Sequence, residues 1–92
     1  MDIFGKIVER IIKEQEEIIG PVALEQARKV AGLKVNWEKR EIVIEGDRKN
    51  ILEKLVAQYE RLFGPASVEV CRDAVKGIIS EAPADQVPAL LR

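Results

Sequence analysis

Ile19-Gly20-Pro21-Val22-Ala23 and Phe63-Gly64-Pro65-Ala66-Ser67 are the two stretches whose reading decides the fold. Each places Gly-Pro between two apolar-periodic segments. Glycine tolerates a reversal of the chain, and proline suits the first position of a following helix, where its missing N–H is not needed. Moving outward from these elbows at a constant offset of 44 residues, Ile7–Ala31 falls on Ile51–Val75 without a gap. Seven of the 25 positions are identical: Ile7/Ile51, Glu9/Glu53, Glu16/Glu60, Gly20/Gly64, Pro21/Pro65, Glu25/Glu69 and Arg28/Arg72. Average residue usage gives about one or two by chance. Two amphipathic helices with a shared period would explain the matching apolar positions. They would not explain Gly-Pro, Glu25/Glu69 and Arg28/Arg72 in one register. The reading is a duplicated helix–Gly-Pro–helix unit.

The first unit opens with Ile3, Phe4, Ile7, Val8, Ile11, Ile12, Ile18 and Ile19, the i, i+3, i+4, i+7 stripe of a helix over 2–19 capped by Asp2. A second helix is expected from Pro21 to Ala31, with Gly32 as its stop. Between the copies the period drops to two. Leu33, Val35 and Trp37 alternate with Lys34 and Asn36, and Glu41–Glu45 follows a polar Glu38-Lys39-Arg40 turn, which predicts a β-hairpin. Asp47 or Asn50 caps a third helix over about 48–63, with Ile51, Leu52, Leu55, Val56, Tyr59, Leu62 and Phe63 inward. A fourth is expected over about 65–80, burying Val68, Cys71, Val75, Ile78 and Ile79. Pro83 and Pro88 limit the tail to at most a helical turn.

The fold class is therefore α+β and predominantly helical, αα-ββ-αα. It is a single domain with helical repeat 1 at about 2–32, the hairpin at about 33–46, helical repeat 2 at about 47–80 and a tail at 81–92. Each helix pair has an apolar face that it cannot bury alone, and packing one pair on the other gives a pseudo-two-fold four-helix layer. A two-stranded hairpin is marginal by itself. Two copies of the chain joining their hairpins into a four-stranded sheet would remove an exposed edge.

Composition excludes more function than it assigns. The chain has 92 residues, 47% of them apolar and 34% charged, with a net charge of −1 and no His. The signs are interspersed, so no acidic or basic tail marks a polyelectrolyte partner. Abundant Ile, Val, Glu, Lys and Arg give a thermophile-like bias. A single cysteine excludes an intramolecular disulfide, Lys6, Glu9 and Arg10 break the pattern of a signal peptide, and no stretch approaches the roughly 18 apolar residues of a membrane span. The expectation is a cytoplasmic protein with no membrane partner.

Cys71 is the strongest nucleophile, but a catalytic thiol needs a base or a positive setting, and the chain has no His. Its counterpart in the other repeat is Ala27, a small inward position, so Cys71 reads as a buried small hydrophobe. Glu25/Arg28 and Glu69/Arg72 read as intrahelical i, i+3 ion pairs. One Cys, no His and no calcium-loop spacing give no metal site, and no glycine-rich phosphate loop is present, so no cofactor is expected. The chain reads as non-catalytic.

Two interaction readings remain. In the first, the chain is a protein-interaction or regulatory module whose partner is a second copy of itself or another protein. Its candidate contacts are Trp37, beside the hairpin turn, and the apolar tail residues Val87, Leu90 and Leu91. For each, the alternative is burial in the domain's own core. In the second, a nucleic acid binds the hairpin and its basic end. Lys34–Lys54 holds six basic and five acidic residues, a net of +1, so a phosphate-binding face needs Lys39, Arg40, Arg48 and Lys49 gathered at one end. The first reading is favoured.

Overall fold

The computed structural model describes residues 2–92 and has the αα-ββ-αα order. Helix α1 spans Ile3–Ile19, α2 Val22–Arg28, strand β1 Leu33–Asn36, β2 Glu41–Ile44, α3 Arg48–Phe63 and α4 Ala66–Val75. Three single 3₁₀ turns, Ile79–Glu81, Ala84–Gln86 and Ala89–Leu91, form the tail. Asp2 and Asp47 cap the two long helices alike, each carboxylate accepting from the backbone N–H three residues on at 2.9 Å.

The duplication is visible in the backbone. Gly20 has φ 72° and ψ −151°, Gly64 φ 83° and ψ −177°, a region essentially confined to glycine. The Gly20 N–H donates to Glu16 O at 2.9 Å and the Gly64 N–H to Glu60 O at 2.8 Å. Ala23 N donates to Gly20 O, and its counterpart Ser67 N to Gly64 O, both at 3.0 Å.

Helix α1 packs on α2 and α4, and α3 packs on the same two. A pseudo-two-fold axis along the bundle exchanges α1 with α3 and α2 with α4. Side-chain hydrogen bonds across the bundle repeat this symmetry. Gln15 Nε2 donates to Ser67 O at 3.1 Å, and its counterpart Tyr59 Oη donates to Ala23 O at 2.7 Å. Donor and acceptor are each offset by 44 residues, although an amide has been exchanged for a phenol. Ile7, Val8, Ile11 and Ile12 of α1 meet Ile51, Leu52, Leu55 and Val56 of α3 in one buried core with Ala23, Ala27, Cys71 and Val75.

The hairpin is antiparallel with Leu33 opposite Ile44 and Val35 opposite Ile42. These four face the core, while Lys34, Asn36, Glu41 and Val43 form the outer face. β1 lies on α2 and β2 on α1, so the hairpin roofs one end of the bundle.

Local differences from the periodicity have identifiable causes. α2 stops at Arg28, where Lys29 N and Val30 N switch to carbonyls three residues back, turning Val30 into the core. α4 stops at Val75, because Gly77 weakens the helix and Ile78 folds back to burial at 7% exposure. Ile79, beyond this end, is only half-buried, as is Val68 in the first turn of α4. β1 ends at Asn36, whose side chain accepts from Lys39 N, so the turn includes Trp37. Pro83 and Pro88 each precede a 3₁₀ turn, and the tail holds more ordered structure than one helical turn. The largest departure concerns Ile18, Leu62 and Phe63, which are inward by period but 63%, 49% and 41% exposed.

Candidate functional site

The sequence-selected candidates are mostly used by the domain itself. Trp37 is half-buried against the core, and the Arg40 guanidinium stacks 3.7 Å from its ring centroid. Arg40 Nη1 also donates to Trp37 O at 2.8 Å. The indole thus has core on one face and its own arginine on the other. Val87 and Leu91 are 2% and 1% exposed, and Leu90 packs partly buried on the same core. Val87 and Leu91 are thus turned into the domain's own core, where they hold the tail down. Arg72 explains why. Its Nε donates to Leu90 O at 3.1 Å while its Nη1 pairs with Glu69. Glu25 and Arg28 stay exposed, and among the described residues only the second copy forms the ion pair.

The four basic residues Lys39, Arg40, Arg48 and Lys49 are spread along the hairpin. Lys39 and Arg40 lie in the hairpin turn, and Arg48 and Lys49 begin α3 beyond the far end of β2. Four strand residues at about 3.3 Å each separate the pairs by roughly 13 Å or more. Arg48 is further engaged by Asp2 at 3.8 Å and by the Phe4 ring at 5.0 Å. Lys49 shares its shallow cleft with Asp47 and Asp85. The two basic pairs thus stand at opposite ends of β2.

Cys71 is fully buried, and burial pushes its thiol up to about 11 despite the hydrogen bond from Gln15 Nε2 at 3.4 Å. Burial, and then the neighbouring Cys71, raises Tyr59 well above the ordinary phenol range. Both groups are protonated at neutral pH, and a thiolate nucleophile is not available there. Among the described residues no three His, Cys, Asp or Glu side chains gather as metal ligands, and no helix is long and apolar enough to cross a membrane.

What the sequence reading missed is at the opposite end of the bundle from the hairpin. Asp2–Arg48 and Phe4–Arg48 join the starts of α1 and α3, while Gln15–Ser67 and Tyr59–Ala23 join their C-terminal halves to the two elbows. Both long helices therefore finish at the same end, where both Gly-Pro turns lie. Each apolar stripe continues one turn past Gln15 or Tyr59: Ile19 still packs half-buried on the core, whereas Ile18, Leu62 and Phe63 are exposed. The short helices begin only after the elbows, so this last turn has no facing helix. Ile18 on α1 and Leu62 and Phe63 on α3 are therefore the large apolar residues left exposed at this end among the described residues. The signal was present in the sequence: a stripe reaching the very residue before a Gly-Pro reversal has no helix left to meet. Compared with protein-family models, curated proteins and solved structures, the chain gives no match in any of the three.

Proposed function

We propose that this chain is a small non-catalytic protein-interaction or regulatory module, working in the cytoplasm as a homodimer, and that the elbow end is its contact surface. The observation that carries this reading is the exposure of Ile18, Leu62 and Phe63 together at one end. Exposed large apolar side chains gathered at one end of a soluble domain are the kind of surface that a partner covers. Among the described residues the other exposed large apolar side chain, Val43 at 50%, stands on the outer face of the hairpin between polar neighbours and makes a poorer anchor. The separation of Lys39-Arg40 from Arg48-Lys49 counts against the nucleic-acid reading.

The test is site-directed photocrosslinking in the host cell. A photoreactive residue at Leu62 is expected to give a protein adduct, whereas the same residue at exposed Lys76 gives none. No adduct at position 62, or equal adducts at both, would overturn the reading.

A further inference from the structure

The elbow end carries the information needed to choose its occupant. It lies on the internal pseudo-two-fold axis, so equivalent exposed positions stand across its centre: Ile18 from the first repeat and Leu62 from the second, with Phe63 beside Leu62 while its counterpart Ile19 packs on the core. A surface of that symmetry is suited to isologous pairing, in which one patch meets itself. Two such pairings exist. A dimer axis along the α1–α3 line stacks each repeat on its own counterpart in the other copy. An axis perpendicular to that line stacks repeat 1 on repeat 2.

The charges beside the patch distinguish them. The residues immediately before Ile18 and Leu62 occupy equivalent positions with opposite charge, Glu17 and Arg61, and both are exposed. One turn earlier Glu14 corresponds to Gln58, whose Oε1 accepts from Arg61 Nη2 at 2.8 Å, a bond that Arg61 must exchange for Glu17 of the other copy on pairing. Repeat 1 on repeat 1 would set Glu17 against Glu17 and Arg61 against Arg61. Repeat 1 on repeat 2 sets Glu17 of each copy against Arg61 of the other and places Ile18 over Leu62.

We infer that a second copy of this chain covers the elbow end, docked with its repeat 2 on repeat 1 so that two Glu17–Arg61 pairs flank an Ile18–Leu62–Phe63 centre. This rests on the interaction reading above and fixes how the two copies are oriented. The patch is small, which places the contact at the low end of interface sizes and makes the dimer weak and reversible. Like charges across the rim reject the alternative pairing, so the charges set orientation more than affinity.

The experiment is sedimentation equilibrium on the full chain over a wide concentration range. Wild type is expected to dimerise, with dissociation between about 1 µM and several hundred µM. Ile18→Glu and Leu62→Glu, at exposed positions, are expected to be folded monomers by circular dichroism. Glu17→Arg and Arg61→Glu each place like charges at both rims and are expected to weaken dimerisation by about tenfold or more. The double variant, and an equimolar mixture of the two single variants, restore opposite pairs and are expected to return to within a fewfold of wild type. A wild type that remains monomeric at about 1 mM, a dimer indifferent to Ile18→Glu and Leu62→Glu, or charge reversals not rescued in the double variant and the mixture would each overturn the proposal. The photocrosslink separates this from failure of the broader reading. An adduct at Leu62 to a different protein, with a monomeric wild type, sinks the second copy and leaves an interaction module. No adduct and no dimer sinks both.

Discussion

Tyr59→Phe is the sharpest test of the duplicated packing, because it removes one oxygen and almost no volume. Tyr59 is fully buried, and its hydroxyl donates to Ala23 O at 2.7 Å, in the first turn of α2. Losing a neutral hydrogen bond costs about 0.5–1.5 kcal/mol, and leaving a buried carbonyl short of its donor extends the range to about 3 kcal/mol. The expected loss is about 1–2 kcal/mol. For a domain of this size that is a fall in Tm of roughly 4–8 °C per kcal/mol. The assay is urea unfolding followed by circular dichroism, with Gln15→Leu as companion. Gln15→Leu removes the counterpart bond to Ser67 O and the contact to Cys71 Sγ, and its loss is expected to be of similar size. Gln15 and Tyr59 both adjoin Cys71, so the double variant should depart from additivity by about 0.5 kcal/mol or more. A Tyr59→Phe protein within about 0.3 kcal/mol of wild type would refute the reasoning, since the bond would then carry no net stability.

Gly20→Ala and Gly64→Ala should each cost about 1–3 kcal/mol in the same unfolding assay, even though an added Cβ meets nothing within 4 Å at either glycine, because the penalty is purely backbone strain; a neutral substitution at either would show that the elbow is not held in this conformation. The folded Cys71 thiol keeps its proton to about 11 while the unfolded thiol ionises near 9, so its contribution to stability is full below pH 9 and lost as pH rises toward 11. That is a slope of about 1.4 kcal/mol per pH unit, and unfolding curves of Cys71→Ala across this window should be flatter by that amount, leaving the Tyr59 contribution that begins near pH 10. Leu91→Ala should destabilise by about 2–3 kcal/mol, and Arg72→Ala should speed hydrogen exchange in the tail with little change in α1, because Arg72 fastens Leu90 from outside the core. Tail exchange unchanged in Arg72→Ala would remove that role.

Local chemistry made most of the fold legible. The elbows were found because glycine and proline carry conformational meaning by themselves, and Asp2 was placed as a cap because an N-cap is a local device. Cys71 was assigned to the interior because its register partner is Ala27. The duplicated tertiary bonds were not legible: Gln15 and Tyr59 share no chemistry, so sequence matching scores them as a mismatch although they perform one job. Helix ends were misjudged where tertiary burial overrode period, as when Ile78 turned inward after Gly77. The candidate site was missed for a related reason. Periodicity reports which way a side chain points and says nothing about whether a neighbour is there to meet it. Ile18, Leu62 and Phe63 point inward by period at a level where the bundle has ended. The basic residues failed in the opposite direction: sequence proximity suggested a cluster, and an extended strand held its two halves apart.

Closure of the elbow end by a second copy, with repeat 2 on repeat 1, can be read out by an isotope-filtered NOE measurement. Labelled and unlabelled protein are mixed at a concentration where sedimentation shows dimer, and only contacts between copies are recorded. The account predicts intermolecular contacts from the Ile18 methyls to Leu62 and Phe63, with none from Val43. Intermolecular contacts from Val43 across paired hairpins, or Ile18 to Ile18 without Ile18 to Leu62, would contradict it.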